Sequence, residues 1–368
     1  MKIKIEKKDL QNILSKTQNI VEKRNTMPVL INVLLEASEN TLRVFATDLE
    51  VSLTDSIPCE VIESGKVAVN AKNLFEIIKE LFEGPIQLHK RENNWLDIKQ
   101  GKYNSKIVGI SSDEYPVFPS YQLNEFIEID SHFFKEMIDK TIYSVSNDET
   151  RYHLNGVYFE ILPDKGFKMV ATDGHRLSLI QKDHISSQIK SQQGVIIPRK
   201  GLHEIRKILD GISENVKIAI EGSQFVLKSG TTVLMIRLIE GKYPNYQQFI
   251  PQKLTQKICL NRETLLSSLK RVSLLANQKS KAVLFHISDG KIEISSNNPE
   301  LGDAREEMEV EYKGADMKIG FNAKYITDVL TNIQNEKIDI ELNDQLSPGL
   351  VRPHNDPNYT CVVMPMRI

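Results

Sequence analysis

The first six residues, Met1-Lys-Ile-Lys-Ile-Glu6, alternate apolar and polar side chains with the period of a half-buried strand. Directly after them the apolar positions move to helical spacing. Leu10, Ile13, Leu14, Thr17 and Val21 line one face of a predicted helix over 7–23. The same change of period recurs twice. Phe126 to Ile129 precedes a predicted helix over 131–145, and Lys257 to Leu260 precedes one over 261–275, whose stripe is Leu265, Leu266, Leu269, Val272 and Leu275.

After each helix the pattern predicts paired strands divided by turn residues: Val33 to Glu36 with Thr41 to Thr47, Val157 to Glu160 with Phe167 to Thr172, and Leu284 to Ile287 with Lys291 to Ser296. The first two copies share Ala46-Thr-Asp48 and Ala171-Thr-Asp173, followed by Ser52-Leu53 and Ser178-Leu179, which are read as matching positions. The third has Ser295-Ser-Asn297 there. A second helix follows Val67 to Lys72, Val195 to Lys200 and Ile319 to Lys324, with Asn70 and Asn322 as N-cap candidates and Pro198 suited to a helix start. The first two copies close on Asp113-Glu-Tyr-Pro116 and Gly241-Lys-Tyr-Pro244, 128 residues apart by subtraction. Such internal self-similarity is sought before any motif. It predicts an α+β fold of three tandem domains, 1–122, 123–250 and 251–368, each with two helices on one side of antiparallel sheet.

Tandem units that dock head to tail leave complementary surfaces unused on the first and last, and two chains satisfy both by closing a ring of six units. Closure also removes exposed sheet edges. The predicted helices carry Lys7, Lys8, Lys16, Lys23, Arg24, Lys72, Lys79, Lys135, Lys140, Arg199, Lys200, Arg206, Lys207, Lys270, Arg271 and Lys324. Facing inward, these would line a hole suited to a polyanion held without sequence readout; alternatively they are ordinary solvated helix faces. The net charge of -2 argues against a protein that grips nucleic acid by bulk basicity, so any DNA association must be local or topological.

With 40% apolar and 26% charged residues the 368-residue chain can bury a core, and no apolar run approaches the about 18 residues of a membrane span. A strand-like start in place of a signal segment points to the cytoplasm. Cys59, Cys259 and Cys361 are odd in number, far apart and without metal-ligand spacing, so three free, mostly buried thiols are expected.

The ordered strings Thr26 to Leu30, Ala46 to Glu50, Arg151 to Gly156, Val170 to Leu177, Ile197 to Gly201, Asn297 to Glu300, Gly320 to Asn322 and Val363 to Ile368 cover the whole chain and resemble bacterial DNA polymerase sliding clamps. The resemblance implies a homodimeric ring that encircles duplex DNA, is not an enzyme, needs no cofactor and does not involve a membrane. Its partners would be the replicative polymerase catalytic subunit, the clamp loader, and other polymerases and repair proteins carrying linear peptide motifs. The implied peptide groove, between the second and third domains, comprises Leu154, Thr172, Gly174, His175, Arg176 and Leu177 with Pro244, Asn322, Tyr325, Leu346, Val362, Val363, Met364, Pro365, Met366 and Arg367. Met and branched aliphatics suit an adaptable surface for several partners.

Implied DNA contacts are Arg24, Lys72, Tyr152, His153, Arg199 and Lys200, and the implied dimer contact involves Ile107, Leu274 and Leu275. Four positions depart from the family pattern. Gln248 and Phe249 stand where some relatives have a basic residue and a smaller aliphatic one, Ser280 where some have an aromatic, and Ser105 where an aromatic is expected at the dimer contact. Asp173-Gly-His175-Arg176 invites a catalytic reading. Copy one keeps Asp48 without the His or Arg, so the Asp is expected to be a structural turn residue. His153, His175 and His203 have no metal-ligand spacing, and no Walker-type phosphate loop or nucleophile motif is found. A repeat scaffold that binds proteins and never DNA is the rival reading.

Overall fold

Period changes from 2 to 3.6 mark real element boundaries in the computed structural model, which describes residues 1–21, 27–119, 126–163, 165–183 and 192–367. Helix α1 (Lys7–Thr17) buries Leu10, Ile13 and Leu14 and packs on α2 (Ala71–Glu80). Their counterparts are α3 (Ser131–Asp139) with α4 (Arg199–Leu209), and α5 (Arg262–Val272), which packs on α6 (Ala323–Thr331). The caps predicted at Asn70 and Asn322 form: their side chains accept from the amides of Asn73 and Lys324, each at 2.9 Å. Asn261 caps α5 in the same way.

The first helix of each repeat is shorter than its apolar stripe suggests. Thr17 Oγ1 donates back to the carbonyl of Ile13 and Thr141 Oγ1 to that of Met137, at equivalent positions eleven residues past the N-caps Glu6 and Asp130. A hydroxyl that bonds the preceding turn competes with the helix ladder. The chain then tightens into single 3-10 turns at Ile142–Ser144 and Ser273–Leu275, while Ile20 and Val145 remain buried. Burial therefore outlasts the helix, and the stripe overstates its length.

By compactness the chain divides into two units, Met1–Lys135 with Lys200–Leu238 and Glu136–Arg199 with Ile239–Ile368. The first holds an antiparallel five-stranded sheet, in order Glu60–Glu63, Lys2–Glu6, Pro85–Lys90, Leu96–Gln100 and Tyr103–Ile107. Its nine-stranded sheet runs Gly109–Ile110, Gly65–Asn70, Asn32–Ser38, Thr41–Thr47, Val51–Pro58, Thr232–Arg237, Gln224–Ser229, Asn215–Glu221 and Ile127–Asp130. The second unit holds an eight-stranded sheet, Gln193–Pro198, Gly156–Leu162, Gly166–Thr172, Arg176–Lys182, Tyr359–Val363, Gly349–Pro353, Lys337–Leu342 and Gln256–Asn261. Its four-stranded sheet is Gly302–Glu309, Lys291–Asn298, Ala282–Ser288 and Met317–Asn322. The central repeat contributes strands to both units.

Each long sheet is made by joining two repeats, and the two joints share one register. Val51 lies opposite Ile236 and Leu53 opposite Leu234; Arg176 lies opposite Val363 and Ser178 opposite Cys361. The pairing is continued by Arg237 N to Glu50 O at 2.8 Å and by Met364 N to His175 O at 2.9 Å. It ends with Ile239 N to Ile196 O at 3.0 Å and Met366 N to Gly320 O at 2.8 Å. This register corrects one sequence reading. Ser52 pairs across its hairpin with Thr47, whereas Leu177 pairs with Thr172, so Ser52 corresponds to Leu177 and Ser178 to Leu53. The two turns are equal in length, and the Ser-Leu string lies one residue nearer the shared Asp in the first repeat.

The three cysteines are free, but only Cys361 is buried; Cys59 and Cys259 are half-buried, contrary to the expectation of mostly buried thiols. Each sits at a strand or its end, where alternate side chains leave the core. Replacing the cap by Asn261→Ala should cost about 1 kcal/mol of stability. The check is a lower denaturant midpoint with an unchanged far-UV spectrum.

Candidate functional site

The site grows from a turn that occurs twice. Thr47 Oγ1 bonds the carbonyl of Val51, and Asp48 Oδ1 accepts from the amides of Glu50 and Val51 at 2.9 and 2.7 Å. Thr172 Oγ1 bonds the carbonyl of Arg176, and Asp173 Oδ1 accepts from His175 and Arg176 at 2.9 and 3.0 Å. Both aspartates are thus turn residues, as expected, each with one carboxylate oxygen, Oδ1, occupied by backbone. The residue after each has a positive φ, +76° at Leu49 and +89° at Gly174. Leucine there carries strain of about 1–3 kcal/mol. Gly174 avoids it, and a Cβ at that position would lie 2.6 Å from Arg151 Nη1.

Arg176, which the resemblance places in the groove, is bonded within the protein. Its guanidinium is only 8% exposed and is engaged on every side. Nε donates to Asp173 Oδ2 at 3.0 Å, Nη1 to Asp328 Oδ2 at 2.7 Å and Nη2 to the Tyr143 carbonyl at 2.6 Å. The guanidinium carbon also stands 4.6 Å from the Tyr325 ring centroid and 5.4 Å from that of Tyr143. Burial alone would depress its pKa, but the Asp328 bond and the Asp173 charge outweigh it and hold the group charged above its ordinary range. Arg176 therefore fastens the turn to α6 and orients His175, whose ring stacks on Tyr325 at 6.4 Å.

Around this fastening the predicted groove residues fall into two groups. Thr172 and Asn322 spend their side chains on the turn and the α6 cap, and Val363 is fully paired and buried. Leu154, Leu177 and Val362 form an apolar floor with Val170, Ile196, Tyr243, Tyr246 and Leu350. The accessible rim consists of His175, Leu346 at 71% exposure, Met364 at 38%, Arg367, and the half-buried Pro244, Tyr325, Pro365 and Met366. Leu346 is held out by Asp344, which accepts from the amides of Leu346 and Ser347 at 2.8 Å each.

Sequence reasoning missed several members of this site. Ile250 and Leu254 pack against the floor from the linker after Tyr246, and Tyr246 bonds Glu160 Oε2 at 2.6 Å. The spacing of apolar residues in Phe249-Ile250-Pro-Gln-Lys-Leu254 was the available signal. Asp328 had none, since it meets Arg176 across 152 positions. Of the departures from the family pattern, Gln248 and Phe249 are exposed beside this linker, while Ser280 donates its amide to Asn277 Oδ1 at 3.1 Å.

Of the implied DNA contacts, Lys72 and Lys200 lie in the first turns of helices in the first unit, and Tyr152, His153 and Arg199 belong to the second, Arg199 directly preceding Lys200 in the chain. Arg24 lies outside the described residues, as does Lys23. Tyr152 is 57% exposed and meets His153 edge to face at 5.7 Å, on the 3-10 segment Glu149–Leu154. Arg199 bonds Asn147 Oδ1, and Lys200 is ion-paired with Asp48. The helix cations are in general less available than the sequence suggests: Lys7, Lys16, Lys135, Lys140, Lys207, Arg271 and Lys324 also pair with carboxylates. Of the cations on the described helices, Lys8, Lys72, Lys79, Arg199 and Lys270 have no carboxylate partner among the described residues.

Two sheet edges remain that correspond to the strands used in the joints. Tyr103–Ile107 ends the five-stranded sheet and occupies the place of Thr232–Arg237 and Tyr359–Val363 in its repeat. Gly302–Glu309 ends the four-stranded sheet and occupies the place of Val51–Pro58 and Arg176–Lys182. Near the first edge, Ile77, Leu81, Phe82 and Tyr103 line a cavity of about 370 Å³, with Phe82 85% exposed. Near the second, Leu274 is 76% exposed and Leu275 half-buried. Counted from the helix caps, Leu274 matches Asn19 and Phe82 matches Asp210, two polar residues lining the internal joint of the first unit. At the first joint these positions are polar, at the second the position matching Leu274 is Tyr143, and Leu274 and Phe82 themselves are exposed and apolar.

What the repeats build is joints, and the class of protein this defines is a multidomain clamp. Profiles of the N-terminal, central and C-terminal domains of the DNA polymerase III beta subunit match residues 1–119, 128–245 and 247–367. The beta sliding clamp of Caulobacter vibrioides is 32% identical over 373 residues, with all of both chains covered. Among solved structures, the DNA polymerase sliding clamp of Bacillus subtilis has a TM-score of 0.96 at 29% identity, covering 100% of this chain and 99% of that one. A sliding clamp from Bartonella birtlesii bound to griselimycin has a TM-score of 0.96 at 31% identity with full coverage of both. The chain belongs to the DNA polymerase III beta subunit family, the bacterial sliding clamps, which are non-catalytic processivity subunits.

Substituting Arg176→Ala would leave Asp173 and Asp328 facing each other without their cation, a loss of about 3–5 kcal/mol if the site behaves as a buried ion pair. Arg176→Lys cannot reach three acceptors from one ammonium and should recover under half of that loss. Thermal denaturation of the three proteins provides the comparison.

Proposed function

We propose that two copies close head to tail into a ring around duplex DNA, and that the groove of the second compact unit receives linear peptides. The observation that carries the ring is the twice-repeated joint with its two leftover edges, which a second copy can complete in the same register. By correspondence, Ser105 takes the position of Leu234 and Cys361, and Ala304 that of Leu53 and Ser178. Asp303 would then oppose the partner's Lys106, Ala304 the partner's Ser105 and Arg305 the partner's Asn104. The apolar Leu274 and Leu275 would meet the cavity at Phe82, burying surface that a free chain leaves in water.

The domain limits in this reading are 1–122, 123–250 and 251–368. Peptide partners, namely the polymerase catalytic subunit, clamp loader, other polymerases and repair proteins, would seat apolar side chains on the Leu154, Leu177 and Val362 floor. The rim at Met364, Met366 and Leu346 adapts to their differing sequences. Arg24, Lys72, Tyr152, His153, Arg199 and Lys200 would touch the DNA backbone transiently; retention would come from enclosure, which requires no net positive charge. Among the described residues no helix is long and apolar enough to cross a membrane, and the cytoplasm is the proposed location.

An engineered disulfide tests the ring register. At the corresponding internal positions the strands lie in a non-hydrogen-bonded pair, with Cα atoms about 4.5 Å apart and reachable by a disulfide. The double variant Ser105→Cys, Ala304→Cys should oxidise to a covalent dimer carrying two links, while Ser105→Cys with Arg305→Cys, pointing to opposite faces, should not. A monomeric chain in solution would reject the ring, and a dimer that never cross-links would reject the register.

A further inference from the structure

Outside the groove and the joints, three ligand-type side chains converge in the C-terminal repeat. Cys259, on strand Gln256–Asn261, lies opposite Asp339 on Lys337–Leu342, and His354 follows Gly349–Pro353, the next strand across. Their donor atoms all lie within 4.8 Å of one another. Cys259 Sγ is 3.6 Å from His354 Nδ1, and that nitrogen is 2.8 Å from Asp339 Oδ1. Ile258, Leu260, Ile338 and Ile340 take the core face of the same strands, so the three polar groups share the opposite face. Even there Asp339 is only 1% exposed.

The geometry points to a metal site for a zinc-class divalent cation, bound by the Cys259 thiolate, the His354 imidazole at Nδ1 and the Asp339 carboxylate. A relay of the nucleophile type is ruled out, because the thiol and the carboxylate address the same ring nitrogen and no proton can pass between them through the imidazole. Convergence on one point is instead what a cation requires. For metal–ligand bonds of about 2.3 Å to sulfur and about 2.0–2.1 Å to nitrogen and oxygen in tetrahedral geometry, donor atoms stand about 3.4–3.6 Å apart. The sulfur to nitrogen spacing already meets this, and the hydrogen-bonded nitrogen to oxygen pair must open by about 0.6 Å.

Lys257 Nζ holds the other carboxylate oxygen, Oδ2, at 2.9 Å, and so serves as an outer-shell partner that leaves Oδ1 for the metal. Burial, and next the Asp339 charge, raise the Cys259 thiol pKa; Lys337 and Glu311 are the other charges that act on it. Binding therefore releases the thiol proton to solvent, while the imidazole proton moves to Nε2. His354 is about one-third exposed, which gives the cation a path in and leaves a fourth position for water. Such a site lies beyond the clamp function and stands or falls independently of it. Sequence spacing could not show it, since the ligands are 80 and 15 positions apart and meet only through strand pairing.

The test is titration of the chelator-treated full chain with Co2+, followed by absorption. One equivalent should produce the thiolate-to-cobalt charge-transfer band with tetrahedral d–d bands, and Zn2+ should abolish both. Cys259→Ser should lose the charge-transfer band and Cys59→Ser should keep it. His354→Gln, at the partly exposed rim, should weaken Co2+ binding beyond the about 10- to 100-fold typical of losing an outer-shell partner. Circular dichroism checks that each variant is folded, and if Cys259→Ser is not, His354→Gln decides. Absence of the band in the unaltered protein, its survival in Cys259→Ser, or unchanged affinity in folded His354→Gln would overturn the site.

Discussion

A strand at the edge of a sheet offers unpaired N–H and C=O groups to anything that can bond them, and the chain meets this liability at two places with one solution. Val51–Pro58 accepts Thr232–Arg237, and Arg176–Lys182 accepts Tyr359–Val363, in matching register. Sharing sheets in this way makes the central repeat inseparable from its neighbours, which is why compactness yields two units where the sequence shows three repeats. It also fixes where the groove can exist. His175 and Met364 meet through a backbone bond of the joint, so the candidate groove is assembled by sheet continuation. The buried Arg176 then locks that surface to α6 through Asp328.

The repeat was legible because it is written in periodicity: strand, helix, hairpin and second helix in the same order three times, with Asn70 and Asn322 marking helix starts. The turn role of Asp48 and Asp173 was legible for the same reason, since only one copy adds a His and an Arg. Helix length was not, because Thr17 and Thr141 end the ladder while apolar burial continues. The partners of Arg176 were not legible either: the motif marks the residue, but Asp328 and Tyr143 are brought to it by tertiary packing. Cys259, Asp339 and His354 were invisible for a related reason, being neighbours only across paired strands.

Charge is where sequence and structure together change the physical picture. Summed over helices, the lysines and arginines suggest a basic lining, but many are tied to carboxylates, and exposed pairs of this kind are weak and salt-screened. Little net attraction for a polyanion is left over from them. A protein so balanced would dissociate readily from DNA if contact alone held it, and would move freely along DNA if enclosure did. Leu274 and Phe82, exposed where the first joint has the polar Asn19 and Asp210, offer apolar surface that a second copy would bury on closing the proposed ring.

Retention on DNA separates these mechanisms most directly. The protein is loaded on a nicked circular plasmid with its loader and ATP, the complex is isolated, and the DNA is then cut once. Enclosure predicts that the protein stays on the circle and leaves once the DNA is linear. Persistence on the linear molecule would mean that contacts hold the protein, and would contradict the ring.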